Sequence, residues 1–370
     1  MMEPHNYEFT ALRGIQAGTA YYVAMCPLKL VGRLFHFDDG DVPAEFRAQR
    51  VLNRSRVPHI ARYIADNTSE YILSSLTASV DGDLAFEPVD RNGLRTVGKL
   101  RIAMTAKIVL NDGQHRRAAI EQALKERPLL GDETISVLFF VDHGLSRTQQ
   151  MFADLNRHAI RPTKSLGVLY DHRDRLSALV RALCAEVSFF RALTEVEKTT
   201  ISNRSIKLFT LSAIYSATGE FLGKGNTTQL QADDLRRSVE FWNLVGEQIP
   251  DWRRAERREV SSAELRRDYI HSHGIALQAL AIAGAQAIAI DPKSWRKHLT
   301  GLRQVDWGRS NRDLWEGRAM IGGRLNKSRN NVLLVANVLL RAMQLPLTPE
   351  GERVEIFHPF PTDAKQASYA

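Results

Sequence analysis

The alternation of hydrophobic and polar positions divides the chain into an N-terminal part of mixed pattern and a C-terminal part of helical pattern. The predicted strands are Tyr21–Leu30, closing at or just after Pro27, Tyr71–Val80, residues 106–110 and Thr134–Val141. Helices are predicted over 55–66 and 115–126, because apolar residues recur there every three to four positions. The last strand is continuously apolar, which is typical of a central strand covered on both faces.

Beyond about Leu166 the pattern is helical throughout. The most apolar run, Gly274–Ile290, is 17 residues long and is therefore predicted to be a buried helix rather than a membrane span. The run Arg253–Arg267 carries charges of both signs and predicts an exposed helix. We expect an α/β domain over residues 1–165 and a mainly helical domain over residues 166–370.

The chain carries an excess of positive charge, with 50 Lys+Arg against 42 Asp+Glu and a formal net charge of +8. Such an excess favours polyanionic partners such as nucleic acid or anionic membrane, although a basic housekeeping protein is an alternative. The segment Met1–Phe9 has no signal-peptide pattern and the two cysteines form no disulfide framework. We therefore expect a soluble cytoplasmic protein.

The most informative segment places Asp112-Gly113-Gln114-His115-Arg116-Arg117 between a predicted strand and a predicted helix. Free backbone N–H groups and the positive end of the helix dipole make such a junction an anion pocket. Arg116 and Arg117 add charge, and His115 or Gln114 can orient a phosphate or a base edge. We expect His115 and Arg116 to face solvent. A plain turn with a helix cap is the structural alternative.

These residues match the motif that names the DGQHR proteins, and four further blocks resemble the DndB family associated with DNA phosphorothioation. The blocks are Ala11–Gly18 with Ala24–Leu28, Arg47–Arg54, Gln150–His158 with residues 164–173, and Glu197–Ser205. The resemblance is dense over residues 7–220 and implies a repressor-like regulator that binds promoter DNA and is not a sulfur-transfer enzyme. The N-terminal part also resembles the ParB/sulfiredoxin fold, although ParB proteins carry Gly-Glu-Arg-Arg where this chain has Asp112–Arg116.

Three segments offer further candidate DNA contacts. Residues 147–175 contain six Lys/Arg against three Asp, and residues 301–330 contain seven Lys/Arg against three acids. In the second segment, a helix opening near Arg324 could read a DNA groove through Arg and Asn. Within Glu197–Ser205, a phosphate clasp from Lys198, Asn203 and Arg204 competes with a plain loop that caps a helix starting near Ile206. The predicted DNA-binding residues are Arg147, Arg157, Arg161, Lys164, Arg173, Lys198, Arg204, Arg324, Lys327 and Arg329.

Cysteine and histidine chemistry is weakly indicated. Cys26 is predicted to be a buried strand thiol, and a redox or sulfur-sensing role is its alternative. His271 and His273 have the spacing of a metal pair, but no third ligand follows at a recognisable spacing, so no metal site is predicted.

The favoured function is a DNA-binding transcriptional regulator of phosphorothioation genes, acting as a homo-oligomer on double-stranded promoter DNA and in contact with other phosphorothioation proteins. One alternative is a nucleotide-hydrolysing enzyme, whose Asp112–Arg117 turn would hold a nucleoside triphosphate with Mg²⁺. Against it, no P-loop and no paired-carboxylate motif is visible. The other alternative is a scaffold for the modification enzymes, which would not explain the excess of positive charge.

Overall fold

The structure is a computed structural model that describes residues 5–35, 54–90, 94–141, 150–151, 153–155, 162–223 and 230–358. The chain divides into two compact units, Met1–Ile160 and Arg161–Ala370. Each unit has its own hydrophobic core. The fold is mixed α/β with a helical C-terminal region, as the sequence predicts.

The first unit is built on a seven-stranded mixed sheet with the order β4-β5-β1-β2-β7-β3-β6. Among the described pairings within this sheet, that of β3 with β7 is parallel and the others are antiparallel. The strands are β1 Asn6–Gln16, β2 Thr19–Pro27, β3 Leu76–Asp81, β4 Leu84–Pro88, β5 Val97–Ala103, β6 Lys107–Asp112 and β7 Thr134–Val141.

Three described helices pack with this sheet: α1 Leu28–Leu34, α2 Val57–Asp66 and α3 Gln114–Glu126. The predicted bounds of β7 and α3 are confirmed to within one residue. The predicted end of β2 at Pro27 is confirmed, and α1 follows it directly. The strand predicted from Tyr71 was wrong at its start, because β3 begins only at Leu76. The strands β1, β4 and β5 were not predicted, although β5 alternates charged and buried apolar residues from Lys99 to Ile102.

The second unit is helical apart from two two-stranded pairings, β8 Thr194–Glu195 with β9 Phe209–Thr210, and β10 Met320–Ile321 with β11 Arg324–Leu325. Its helices are α4 Lys164–Tyr170, α5 Arg175–Glu186, α6 Ser188–Leu193, α7 Leu211–Leu222, α8 Asp234–Gln248, α9 Pro250–Glu256, α10 Ser262–Asp268, α11 Gly274–Ile290, α12 Trp295–His298, α13 Arg312–Trp315, α14 Arg329–Ala342 and α15 Pro349–Glu355.

Helix α11 lies in the centre of the second unit, where it packs against α7 and α14. Its residues from Ile275 to Gly284 are buried apart from Gln278, which confirms the predicted buried helix. The last described helix, α15, is held by a buried ion pair in which Arg318, between α13 and β10, donates to both oxygens of Glu355 at 3.1 and 2.6 Å. Asn337 of α14 donates to the same carboxylate.

Two predictions for the second unit were wrong. The helix expected near Ile206 begins at Leu211, where Thr210 caps it by accepting from the Ala213 N–H. The run 253–267 forms two short helices, α9 and α10, rather than one exposed helix. None of the described helices has the length and apolar character that a membrane span requires.

Candidate functional site

The Asp112–Arg117 turn joins the edge strand β6 to α3 through a glycine with a left-handed backbone. Gly113 has φ +103°, and a Cβ at this position would lie 2.3 Å from Cδ2 of Leu76. A side chain at this position would therefore meet both backbone strain and a steric overlap. The turn needs glycine for reasons of packing, independently of any ligand.

Arg116 uses its guanidinium to clamp this turn to the segment that precedes β3. It donates to Oδ2 of Asp112 at 2.7 Å, to Oγ of Ser74 at 2.6 Å and to the main-chain oxygen of Ser75 at 3.1 Å. Its side chain is only 21% exposed. The expectation that Arg116 faces solvent was therefore wrong: three protein oxygens draw it inwards.

The other residues of the turn are also held by the protein. Arg117 donates to the main-chain oxygen of Gly32 at 3.0 Å and pairs with Glu121 at 3.3 Å. Gln114 is buried and donates to the main-chain oxygen of Leu110 at 3.4 Å, while His115 is half-buried. The first turn of α3 has no side-chain cap and no acidic residue, so its main-chain N–H groups keep the capacity to bind an anion.

In the second unit, two sequence-distant segments bring predicted DNA contacts together. Ser165, at the start of α4, donates to the main-chain oxygen of Lys198 at 2.8 Å, and Thr163 donates to that of Glu197. Lys164 and Lys198 are therefore neighbours, and the positive charge of Lys164 also acts on Lys327. We call Lys164, Lys198, Arg204 and Lys327 the basic face. Lys164, Lys198 and Arg204 are exposed, while the ammonium of Lys327 lies against the start of α11, and none of the four forms an ion pair with a described residue.

The remaining predicted DNA contacts are scattered or lie outside the described residues. Arg147, Arg157 and Arg161 lie outside them. Arg173 is in the loop before α5 and Arg324 is exposed in β11, while Arg329 pairs with Glu220 at 2.6 Å and Glu350 at 2.9 Å.

Helix α14, which follows Arg324, was expected to read a DNA groove. It is buried continuously from Asn331 to Leu340. Asn331 itself donates to the main-chain oxygens of Gly317 and Arg318. This helix is part of the core, so the expectation of a groove-reading helix was wrong.

Arg266 was missed by the sequence reasoning, although it organises the segment beside the basic face. From α10, its guanidinium donates to the main-chain oxygens of residues 202, 203, 205 and 207. We call the segment Ser202–Lys207 the strap. Burial lowers the pKa of Arg266, and no carboxylate in the described part of the chain pairs with it. The charged run 253–267 gave no signal that this arginine turns inwards.

His273 also contributes to this arrangement. Its Nε2 lies 2.7 Å from the main-chain oxygen of Arg266, and burial lowers the pKa of His273 to about 4. The ring is therefore neutral at pH 7. His271 is buried and its Nδ1 accepts from the indole of Trp252 at 3.1 Å. Across the described ranges, no three His, Cys, Asp or Glu side chains cluster in a way that could hold a metal ion.

The two cysteines are free thiols. Cys26 is fully buried in β2, and burial raises the pKa of its thiol to about 12. Burial raises the pKa of Cys184 to about 12 as well. Because the thiolate is the reactive form, this environment disfavours the sensing alternative for Cys26.

A family model described as DndB, DNA-sulfur modification-associated, matches residues 9–346. The match spans both units and includes the turn, the basic face and the strap. No curated protein and no solved structure matches the chain.

Replacing Gly113 by alanine should lower the free energy of unfolding by about 2–4 kcal/mol, because backbone strain and the overlap with Leu76 add. Gly18→Ala is the matched control: Gly18 also has a positive φ, of +73°, but nothing lies within 4 Å of its Cβ position. It should cost only about 1–2 kcal/mol. Urea unfolding measures both values. Equal losses of unfolding free energy in the two variants would mean that Leu76 moves away from the new Cβ without destabilising the protein.

Neither cysteine should react with iodoacetamide in the folded protein at pH 8. A thiol with a pKa of about 12 has roughly one part in ten thousand as thiolate at that pH. Raising the pH towards 12 should increase the thiolate fraction about tenfold per unit. Mass spectrometry after brief alkylation, with a urea-unfolded sample as the control, measures this. Rapid labelling of folded Cys26 at pH 8 would contradict its burial and revive the sensing role.

Proposed function

Since the chain belongs to the DndB family of DNA-sulfur modification-associated proteins, we propose that it is a DNA-binding transcriptional regulator of phosphorothioation genes. It acts in the manner of a repressor on double-stranded promoter DNA. In this proposal the second unit provides the DNA-contacting surface through its basic face.

The basic face is the observation that supports DNA binding best. Four cations from three separate segments, at 164, 198–204 and 327, lie outside any ion pair with described residues. Salt-bridged surface charges are largely neutralised, whereas these four keep their charge for an external anion. Phosphate contacts by lysine and arginine supply most of the sequence-independent affinity for DNA.

The Asp112–Arg117 turn supports nucleotide hydrolysis less well. Asp112 is the residue that would place Mg²⁺ or water, and Arg116 already holds one of its oxygens at 2.7 Å. Arg117 is likewise engaged by Gly32 and Glu121. A ParB/sulfiredoxin-like role for this unit, with a nucleoside triphosphate at the start of α3, stays a prediction. A pure scaffold would leave the basic face without a purpose.

Binding to a duplex from the promoter of the modification genes should weaken steeply with salt. About six phosphate contacts predict that the logarithm of the association constant falls with the logarithm of the salt concentration with a slope near −5. Lys164→Gln and Lys198→Gln should each make this slope shallower by about 0.9, because each removes one contact. Fluorescence anisotropy over a range of salt concentrations measures the slopes.

Lys293→Gln is the matched control for these two variants. Lys293 is an exposed lysine that follows the far end of α11, and that helix of 17 residues spans about 25 Å. Its slope should equal that of the unmodified protein. An undetectable or salt-independent affinity in the unmodified protein, or equal slopes in all variants, would refute DNA binding through the basic face.

Deleting the gene should change the transcript level of neighbouring modification genes while sulfur incorporation into DNA continues. The chain offers two thiols of raised pKa, which suit a regulator better than a sulfur carrier. Quantitative transcript measurement and chemical cleavage at modified sites check the two halves. Complementation with the Lys164→Gln/Lys198→Gln double variant should fail to restore regulation. Loss of DNA sulfur with an unchanged transcript would place the protein in the chemistry instead.

A further inference from the structure

The second unit contains a half-open cavity of about 620 Å³ beside the strap. Its apolar lining includes the half-buried Ile201 and Ala263, and Leu208 and Phe209 lie almost fully buried behind it. Its walls come from residues 199–203, from α10 and from the start of α11. A volume of this size is typical of small-molecule sites, which combine an apolar body with a few converging polar groups.

The charged residues that line this cavity are all basic. Its 16 residues include four cations, Arg266, Arg267, Arg309 and Lys327, and no Asp or Glu. Arg267 is paired with Asp268 outside the lining. Arg309 donates to main-chain oxygens, those of Arg267 at 3.1 Å and Gly323 at 2.9 Å. Because carbonyl oxygens carry no net charge, Arg266 and Arg309 keep theirs, and the cavity is positive.

Lys327 is placed where it can contact a ligand. Its Nζ lies 3.0 Å from the position that a Cβ on Gly274 would occupy, so the missing side chain lets the ammonium approach the first residue of α11. The first N–H groups of that helix have no intrahelical acceptor and its dipole favours an anion there. Burial and the nearby charge of Lys164 lower the pKa of Lys327; a bound anion would counteract this lowering.

We propose that this cavity binds a phosphorylated small molecule with an apolar or aromatic body, of about the size of a nucleotide. Lys327, Arg309 and the start of α11 hold the phosphate. The hydroxyl groups of Thr199 and Thr200, which also line the cavity, add donors for it, and the apolar lining at Ile201 and Ala263 takes the body. The proposal goes beyond DNA recognition and gives the protein a ligand site of its own.

The shape of the cavity favours a small molecule over the backbone of DNA. The phosphates of a DNA duplex lie on its convex outer surface, where exposed cations such as Lys164 and Lys198 can reach them. A backbone phosphate bound to those lysines brings no apolar group to the lining at Ile201 and Ala263. A free phosphomonoester can place its phosphate against the cations of the cavity and its apolar body against the apolar lining.

The test is isothermal titration calorimetry of the full chain with AMP, pyrophosphate and inorganic phosphate as probes. AMP should bind more tightly than inorganic phosphate, because only AMP fills the apolar half of the cavity. Lys327→Gln should weaken AMP binding by about 10- to 100-fold, the range expected for a charged hydrogen bond. Lys293→Gln should leave AMP binding unchanged.

A second variant guards against misfolding at position 327. Ala263 lines the cavity from α10, and Ala263→Met fills the space without removing a charge. It should abolish AMP binding while thermal melts stay close to those of the unmodified protein.

Lys198→Gln separates this proposal from DNA binding, because Lys198 belongs to the basic face but not to the cavity lining. It should reduce the salt slope of DNA binding and leave AMP affinity intact. The proposal is overturned if none of the three probes binds at millimolar concentration, or if Lys327→Gln and Ala263→Met bind AMP as the unmodified protein does. It is also overturned if Lys198→Gln weakens AMP and DNA equally, which would place both on the open surface.

Discussion

The arrangement of the second unit's candidate surfaces depends on one guanidinium. Arg266 donates to four main-chain oxygens of the strap, and Ser262 of the same helix donates to the main-chain oxygen of Ile206 at 2.7 Å. The strap has no helix or strand of its own, so its carbonyls need other donors. A planar guanidinium with five N–H groups supplies several at once. The positions of Arg204 and of the cavity wall follow from this contact.

The same residue type performs opposite electrostatic roles in the two units. In the first unit, Arg116 is paired with Asp112 and Arg117 with Glu121, so the turn is held together with its charge largely compensated. In the second unit, Arg266 and Arg309 bind neutral carbonyl oxygens and their charge persists. A carboxylate partner stabilises a turn and reduces its field, whereas a carbonyl partner stabilises a loop and leaves the field for a ligand. This contrast is why anion binding is argued more strongly for the second unit.

The Asp112–Arg117 turn has a packing explanation that does not need a ligand. Gly113 is required by its left-handed backbone and by Leu76, and Arg116 joins the turn to Ser74 and Ser75. Strand β3 lies between β7 and β6, so these contacts hold the edge strand β6 and helix α3 against the rest of the sheet. The main-chain N–H groups of α3 are thereby placed in a fixed orientation, which is also what an anion site requires.

The sequence by itself determined the elements whose signal is local: strand Thr134–Val141, helix 114–126 and the buried helix Gly274–Ile290, because periodicity and turn residues act over a few positions. It also indicated a basic protein and the family to which it belongs. It could not show that Arg266 turns towards the strap about 60 residues earlier, or that Lys327 reaches the start of α11. Both depend on contacts between distant segments, and a charged side chain in a polar run carries no mark of its eventual partner. Only the tertiary structure decided which cations are neutralised by carboxylates and which keep their charge.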